Sequence, residues 1–246
     1  MKAALRGEWR KLRTLRSTSA CLAALALLSV GFAALFSGGA SEIHRERPAD
    51  FDPTALSLQG GMMFGQLVVG LLGVLSITSE YATGTIHASL TAVPGRGRLF
   101  AAKAVVVGLV AAVAGLTAAL GSFLVGQAAL AANGVPHAGL GDPEVARAVL
   151  GGGLYLALIG PLGLALGFLT RSTAAGVTLL TSMTVLVLAV LQLLPPQVAG
   201  LWPTVAGTQV VATLPHSSPW PGFLLYAAFV AALTGAALVT FRRKDA

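Results

Sequence analysis

Residues 148–169 read AVLGGGLYLALIGPLGLALGFL, without one charged side chain. A helix needs about 20 such residues to cross ~30 Å of hydrocarbon. Working outward, five more runs of the same kind appear, at about 19–36, 57–78, 104–131, 174–194 and 223–240. None contains a charged residue, and none alternates as the strand of a closed barrel would. The composition agrees: 55% of the 246 residues are hydrophobic and 10% are charged, against about 25% charged in a typical soluble domain. The mean hydropathy is +0.81. The expected fold is all-α, a single polytopic domain over 1–246 with six transmembrane helices.

Six spans place both termini on one side, and charge chooses the side. Segments 1–18, 79–103, 170–173 and 241–246 carry thirteen of the sixteen Lys and Arg residues. Segments 37–56, 132–147 and 195–222 carry the other three. Positive charge stays inside, so both termini are expected in the cytoplasm. The net charge of +7 would suggest nucleic acid in a soluble protein. Here the basic residues flank apolar runs, which points to topology and anionic lipid and to no nucleic-acid partner. The first run is longer than the ~7–15-residue core of a signal peptide, so it is read as an uncleaved span. The lone Cys21 allows no internal disulfide and no metal site by itself.

Two stretches outside the spans carry a helical pattern. In MKAALRGEWRKLRTLRS, Leu5, Trp9, Leu12 and Leu15 recur at spacings of one helix face, with Arg6, Arg10 and Arg13 beside them. This is an amphipathic basic helix expected along the inner surface, either as a topology anchor or as a docking helix for a cytoplasmic partner. In SEYATGTIHASLTAVPGRGR, residues 79–98, Ser79-Glu80 suits a helix start and Thr83-Gly84-Thr85 loosens the junction with span two. Ile86, Leu90 and Val93 then share one face, Pro94-Gly95 stops the segment, and Arg96 and Arg98 anchor span three at the lipid surface. A short amphipathic helix follows, serving either interfacial packing or contact with a partner.

Several chemistries are missing. There is no GxxxxGK[ST] phosphate loop, no HExxH, and no G-x-S-x-G elbow. His44, His87, His137 and His216 are scattered through loops. The spans hold Gln66, Gln127, Gln192 and scattered hydroxyls but no carboxylate of the kind that ion-coupled carriers keep at mid-membrane. Neither enzyme chemistry nor a cofactor of its own is expected, and a driving force should come from a partner. The nearly uncharged spans suggest an amphipathic or lipophilic substrate.

Gly163 and Gly167 in span four and Gly65, Gly70 and Gly73 in span two read as helix contacts, with a kink allowed near Gly160-Pro161. Thr178, Thr181, Ser182 and Thr184 of span five could bond between helices or line a path. Residues 37–56 read as a solvated connection. Residues 195–222, uncharged with six Pro and two Trp, read as a segment at the outer interface with Trp202 and Trp220 among headgroups, or else as a gate or re-entrant piece.

EWRKLRTLRST at 8–18, the SEYATGTIHASLTAVPGRGRLFAAKAVV segment at 79–106 and the ending FRRKDA together resemble permease subunits of ABC transporters, type-2 export class, of actinobacterial type. The most specific element is ExATGTI-x-x-x-L-x-x-x-P-x-R followed by a Lys in the next span. The resemblance implies a multi-pass subunit of a bacterial cytoplasmic membrane that forms the substrate path. It implies a separate ATP-binding subunit that holds the ATP, and a second permease copy or homologue. The loop after span two would be a coupling helix, with Glu80, Tyr81, Gly84, Thr85, Ile86 and Leu90 in the coupling contact. Glu8, Trp9, Lys11 and Leu12 would contribute from the N-terminal helix. The alternative is a non-transporting assembly, sensor or immunity subunit that binds a partner through the same loop.

Overall fold

The computed structural model describes residues 2–93, 95–191, 193, 195–213 and 218–243. Pro94, Gln192, His216 and residues 244–246 of the FRRKDA ending lie outside the described residues. Among those described, every regular element is helical. In chain order they are α1 (Lys2–Thr14), α2 (Arg16–Gly38), α3 (Ala40–Glu46), α4 (Pro53–Ala82), α5 (Ile86–Ala92), α6 (Arg96–Ala132) and α7 (Pro143–Thr170). There follow α8 (Thr173–Thr181), a π turn over Ser182–Leu186, α9 (Val187–Leu191), α10 (Pro196–Ala199), α11 (Pro203–Thr208) and α12 (Trp220–Arg243). Six of these units are long and apolar enough to cross a membrane: α2, α4, α6, α7, the α8–α9 unit and α12.

α4 and α7 begin ahead of their apolar runs because caps, not hydrophobicity, set their starts. Asp52-Pro53 starts α4 and Asp142-Pro143 starts α7. In each, the carboxylate accepts a bond from a backbone N–H of the first turn and proline fills the first helical position. α6 runs for 37 residues, about 55 Å at 1.5 Å per residue, well beyond a ~30 Å core. Its first two turns therefore project from the end of the bundle where α1 and α5 lie.

α4 and α7 form the centre. In their apolar windows 67% and 72% of residues are buried, against 22% for α2, 22% for the α8–α9 unit and 17% for α12. The central pair is close because glycine meets glycine. A Cβ on Gly73 would collide with the Gly160 carbonyl, and one on Gly163 with the Gly70 carbonyl. In hydrocarbon, where hydrophobic burial gives no driving force between helices, such backbone-on-backbone packing supplies the attraction. α7 stays continuous through Pro161.

Residues 37–56 are not merely a solvated connection. They hold α3, a 3-10 turn at Pro48–Asp50 and the Asp52 cap. The 195–213 segment likewise turns back onto the bundle. Val210 and Val211 are fully buried, and Val210 sits against Gly151 of α7. Within the π turn of span five, the Met183 carbonyl accepts from Trp202 Nε1 at 2.9 Å and Thr204 Oγ1 at 3.2 Å. Two charged residues clamp the segment's end. Thr213 donates through its backbone N–H and its hydroxyl to Asp52 at 2.7 and 2.8 Å. Arg147 donates to the Val210 and Ala212 carbonyls at 2.8 and 2.7 Å. Trp202 thus spends its N–H on the protein, while Trp220 is 45% exposed. Of the span-five hydroxyls, Thr184 is buried and bonds back to Leu180 O, whereas Thr178 is exposed.

Candidate functional site: a charged joint at the basic end of the bundle

The end of the bundle that carries α1 and α5 also carries the only carboxylates that the described residues bury, Glu8 and Glu80. Glu8 lies mid-way along α1 and Glu80 in the last turn of α4. Lys103, on the projecting part of α6, is 2% exposed and donates to Glu80 Oε1 at 2.6 Å, Glu8 Oε2 at 2.7 Å and Ser76 O at 3.3 Å. An ammonium has three donors, and all three are used. Lys11 of α1 repeats the pattern with Glu80 Oε1 at 2.9 Å, Glu8 Oε1 at 3.0 Å and the Ser89 hydroxyl of α5 at 2.9 Å. Ser89 in turn donates to Glu80 Oε2 at 3.0 Å.

Two carboxylates and two ammonium groups thus neutralise each other and satisfy one another's bonds. That combination is the condition for keeping charge out of water. The Lys11 side chain is partly open to solvent. Burial draws its ammonium down, but the Glu80 and Glu8 carboxylates outweigh this and hold its pKa above the ordinary 10.5. Four helices meet here: α1, α4, α5 and α6. A groove of about 510 Å³ opens beside the network between α1 and α5, with Lys11, Thr14, Thr83, Thr85, Ala88 and Ser89 among its walls.

The structure redistributes the residues expected at this end. α1 buries Ala4, Glu8 and Leu12, with Leu5 half-buried. Trp9 and Leu15 are 44% and 40% exposed. The single apolar face expected from Leu5, Trp9, Leu12 and Leu15 is therefore divided, because the pairing of Glu8 with two lysines sets the rotation of the helix. Arg6, Arg10 and Arg13 are exposed. In α5, the apolar face, read as serving either packing or a partner, is turned inward. Ile86 is 3% exposed and Leu90 packs against the core. What α5 shows to solvent is His87, Ala88, Thr91 and Ala92.

Glu8, Leu12 and Glu80 are likewise buried within the chain, whereas Trp9, Gly84 and Thr85 are exposed. Gly84 has φ +69, a left-handed turn that lets the chain leave α4 and enter α5. Tyr81 is half-buried under the Arg171 guanidinium, 5.5 Å from its ring centre. Arg98 is exposed, but Arg96 is half-buried and donates to Phe241 O of α12 at 3.5 Å, so it also joins helices. Among the described residues, no group of three or more His, Cys, Asp or Glu could hold a metal ion.

A family profile described as ABC-2 family transporter protein matches residues 4–189. The chain belongs to the ABC-2 transporter family. No curated protein matches the sequence. The matched region begins within α1 and contains all four members of the charged joint, spans one to four, and span five as far as Ala189 in α9. An ABC-2 family chain with six apolar helices is a multi-pass membrane protein and the permease component of a transporter, a role in transport rather than in catalysis.

The role missed in the sequence is that of Lys103. It was recognisable as a lysine at the start of an apolar helix, yet nothing in local periodicity pairs it with Glu8 or Glu80. The available signal was a general one: a lysine and a glutamate beside apolar runs are seldom buried unless they are paired.

Proposed function

We propose that this chain is the permease of an ATP-driven exporter in a bacterial cytoplasmic membrane. It receives its drive at the end of the bundle built from α1, α5 and the projecting turns of α6. A separate ATP-binding subunit docks there from the cytoplasm, and a second permease copy or homologue completes the path. The observation that carries this reading is the charged joint. α5 follows the core helix α4 through one glycine turn, and Ser89, Glu80, Lys103 and Glu8 tie it to α6 and α1. A push on α5 is therefore delivered to α4, α6 and α1 together.

The docking surface in this reading is the exposed side of α5, with His87, Ala88 and Thr91, and the neighbouring groove. Glu80, Tyr81, Ile86 and Leu90 then transmit rather than touch. Lys11, Gly84 and Thr85 remain available for contact, whereas Trp9 lines a separate groove between α2 and α6. Excess Lys and Arg at the same end supports its cytoplasmic placement.

A photo-crosslinking residue at His87 tests the reading. It is expected to capture an ATP-binding subunit, identifiable by a phosphate-loop peptide, while the same residue at Leu140 on the opposite end captures none. In the reconstituted complex, Glu80→Ala and Gly84→Pro are expected to leave insertion intact and lower transport per ATP hydrolysed. Unchanged transport with both substitutions would overturn the assignment.

A further inference from the structure

A second groove, of about 520 Å³, lies away from the charged joint on the side of the bundle. One wall is α2, with Leu22, Leu25, Ala26 and Val30, and the other is α6, from Leu109 to Ala118. Trp9 of α1 closes one end. Apart from the indole N–H, the only polar side chain in the lining is Thr117, and its hydroxyl is spent on Val113 O and Ala114 O at 3.0 and 2.9 Å. The groove therefore offers a ligand apolar contact along its length and no hydrogen bond in the middle.

Its length and its ends describe the occupant. Leu22 to Val30 spans about 12 Å and Leu109 to Ala118 about 13 Å at 1.5 Å per residue. That is close to one leaflet, half of a ~30 Å core. The groove starts at α1, the helix at the membrane surface, and ends near the middle of the spans. At the α1 end stands a tryptophan, the residue that favours the headgroup level, with an apolar body and one polar N–H. Arg6 and Arg13 lie one turn either side of Trp9 on the same helix face, and Arg10 is adjacent. All three are exposed, and none forms an ion pair among the described residues. The one carboxylate on α1, Glu8, is already held by Lys11 and Lys103.

The geometry points to a binding site for one anionic glycerophospholipid of the leaflet that faces α1. An acyl chain fills the groove between α2 and α6. The phosphate headgroup rests against Arg6, Arg10 and Arg13, and Trp9 packs over the glycerol region. The charge at the mouth is what selects this occupant over a neutral lipid. The one-leaflet length and the lack of free polar groups argue against a peptide. Such a lipid would brace α1 against α2 and α6. This site is independent of the proposed ATP-driven role, and its test uses no transport.

Native mass spectrometry of the purified chain, released from vesicles of equal phosphatidylglycerol and phosphatidylethanolamine, reads the site directly. The wild-type chain is expected to retain one phospholipid, with phosphatidylglycerol favoured severalfold. Val113→Trp and Ala26→Trp fill the groove at exposed positions, where folding is not at risk. Each is expected to lose most of the retained lipid while eluting as the wild type does. Arg6→Gln combined with Arg13→Gln is expected to keep a lipid but to lose the phosphatidylglycerol preference. Trp9 fluorescence, compared with that of a Trp9→Phe chain, should be quenched by brominated phosphatidylglycerol at a lower mole fraction than by brominated phosphatidylcholine. Equal retention in the groove-filling variants, or no headgroup preference, overturns the proposal. So does a disulfide between two Val113→Cys chains at high yield, which would make the groove an interface with a second copy.

Discussion

Lys103 of α6 and Glu80 of α4 meet at 2.6 Å with side chains 1% and 9% exposed, although a turn, a helix and a second turn separate them in the chain. Removing one partner of a buried pair strands the other charge, which costs about 3–5 kcal/mol. Lys103→Met should therefore destabilise the chain by that order, measured by thermal unfolding in detergent with the wild type in parallel. Glu80→Gln and Lys103→Gln together should cost less than the sum of the two single changes, by about 0.5–3 kcal/mol. Strict additivity would mean that the two side chains do not act on one another.

Gly84 isolates a purely conformational effect. Nothing lies within 4 Å of the position a Cβ would take, and φ is +69. Gly84→Ala should thus cost about 1–2 kcal/mol from backbone strain alone. Gly84→Asn should cost less, since asparagine tolerates this region. Gly84→Pro cannot adopt the angle at all. Thermal stability falling from the asparagine to the alanine to the proline variant checks the assignment, and an alanine variant as stable as the wild type would contradict it.

The far-end clamp should be separable from the charged joint. Asp52→Ala removes the acceptor for Thr213 and the cap of α4, and Arg147→Ala removes the donors to Val210 and Ala212. With Cys21→Ala as background, a cysteine at Ala212 should react faster with a polar maleimide in either variant than in the parent. Trypsin cleavage within α1 should stay unchanged. Equal reactivity would show that the segment is held by Val210, Val211 and Trp202 without the clamp.

Alkaline pH should act on Lys11. Its folded-state pKa lies above 10.5, so its contribution to seating α1 is complete at neutral pH. That contribution persists below the ordinary lysine value of 10.5 and fades as pH rises through the elevated value. The stability gap between the wild type and Lys11→Met should therefore stay constant from neutral pH to about 10 and close above it. A gap that closes near neutrality would rule out the proposed contact between Lys11 and both glutamates.

The six spans, their order and the shared side of both termini were legible in the sequence. Hydrocarbon imposes length and apolarity on each span independently, so no tertiary information is needed to see them. The glycines of spans two and four were legible as contacts for a related reason, since a side chain as small as hydrogen marks close approach. α1 and α5 were legible as helices from their spacing. That α5 buries its apolar side follows from the same spacing, but the polar side chains that turn inward with each helix, Glu8 in α1 and Ser89 in α5, were not legible.

What the sequence alone determined, then, is everything the bilayer dictates: the number of spans, the basic end, and the short helices that lie along it. Only the tertiary structure decided what those short helices do with their side chains. Glu8, Lys11, Glu80 and Lys103 come from three helices, and each could sit in water by itself. Their burial follows from meeting one another, because a charge leaves water only when its partners are already in place. The same holds at the far end, where Asp52 and Arg147 read as loop charges until Thr213 and the carbonyls of Val210 and Ala212 are folded onto them. Bilayer physics acts on one segment at a time, whereas charge pairing needs the whole fold.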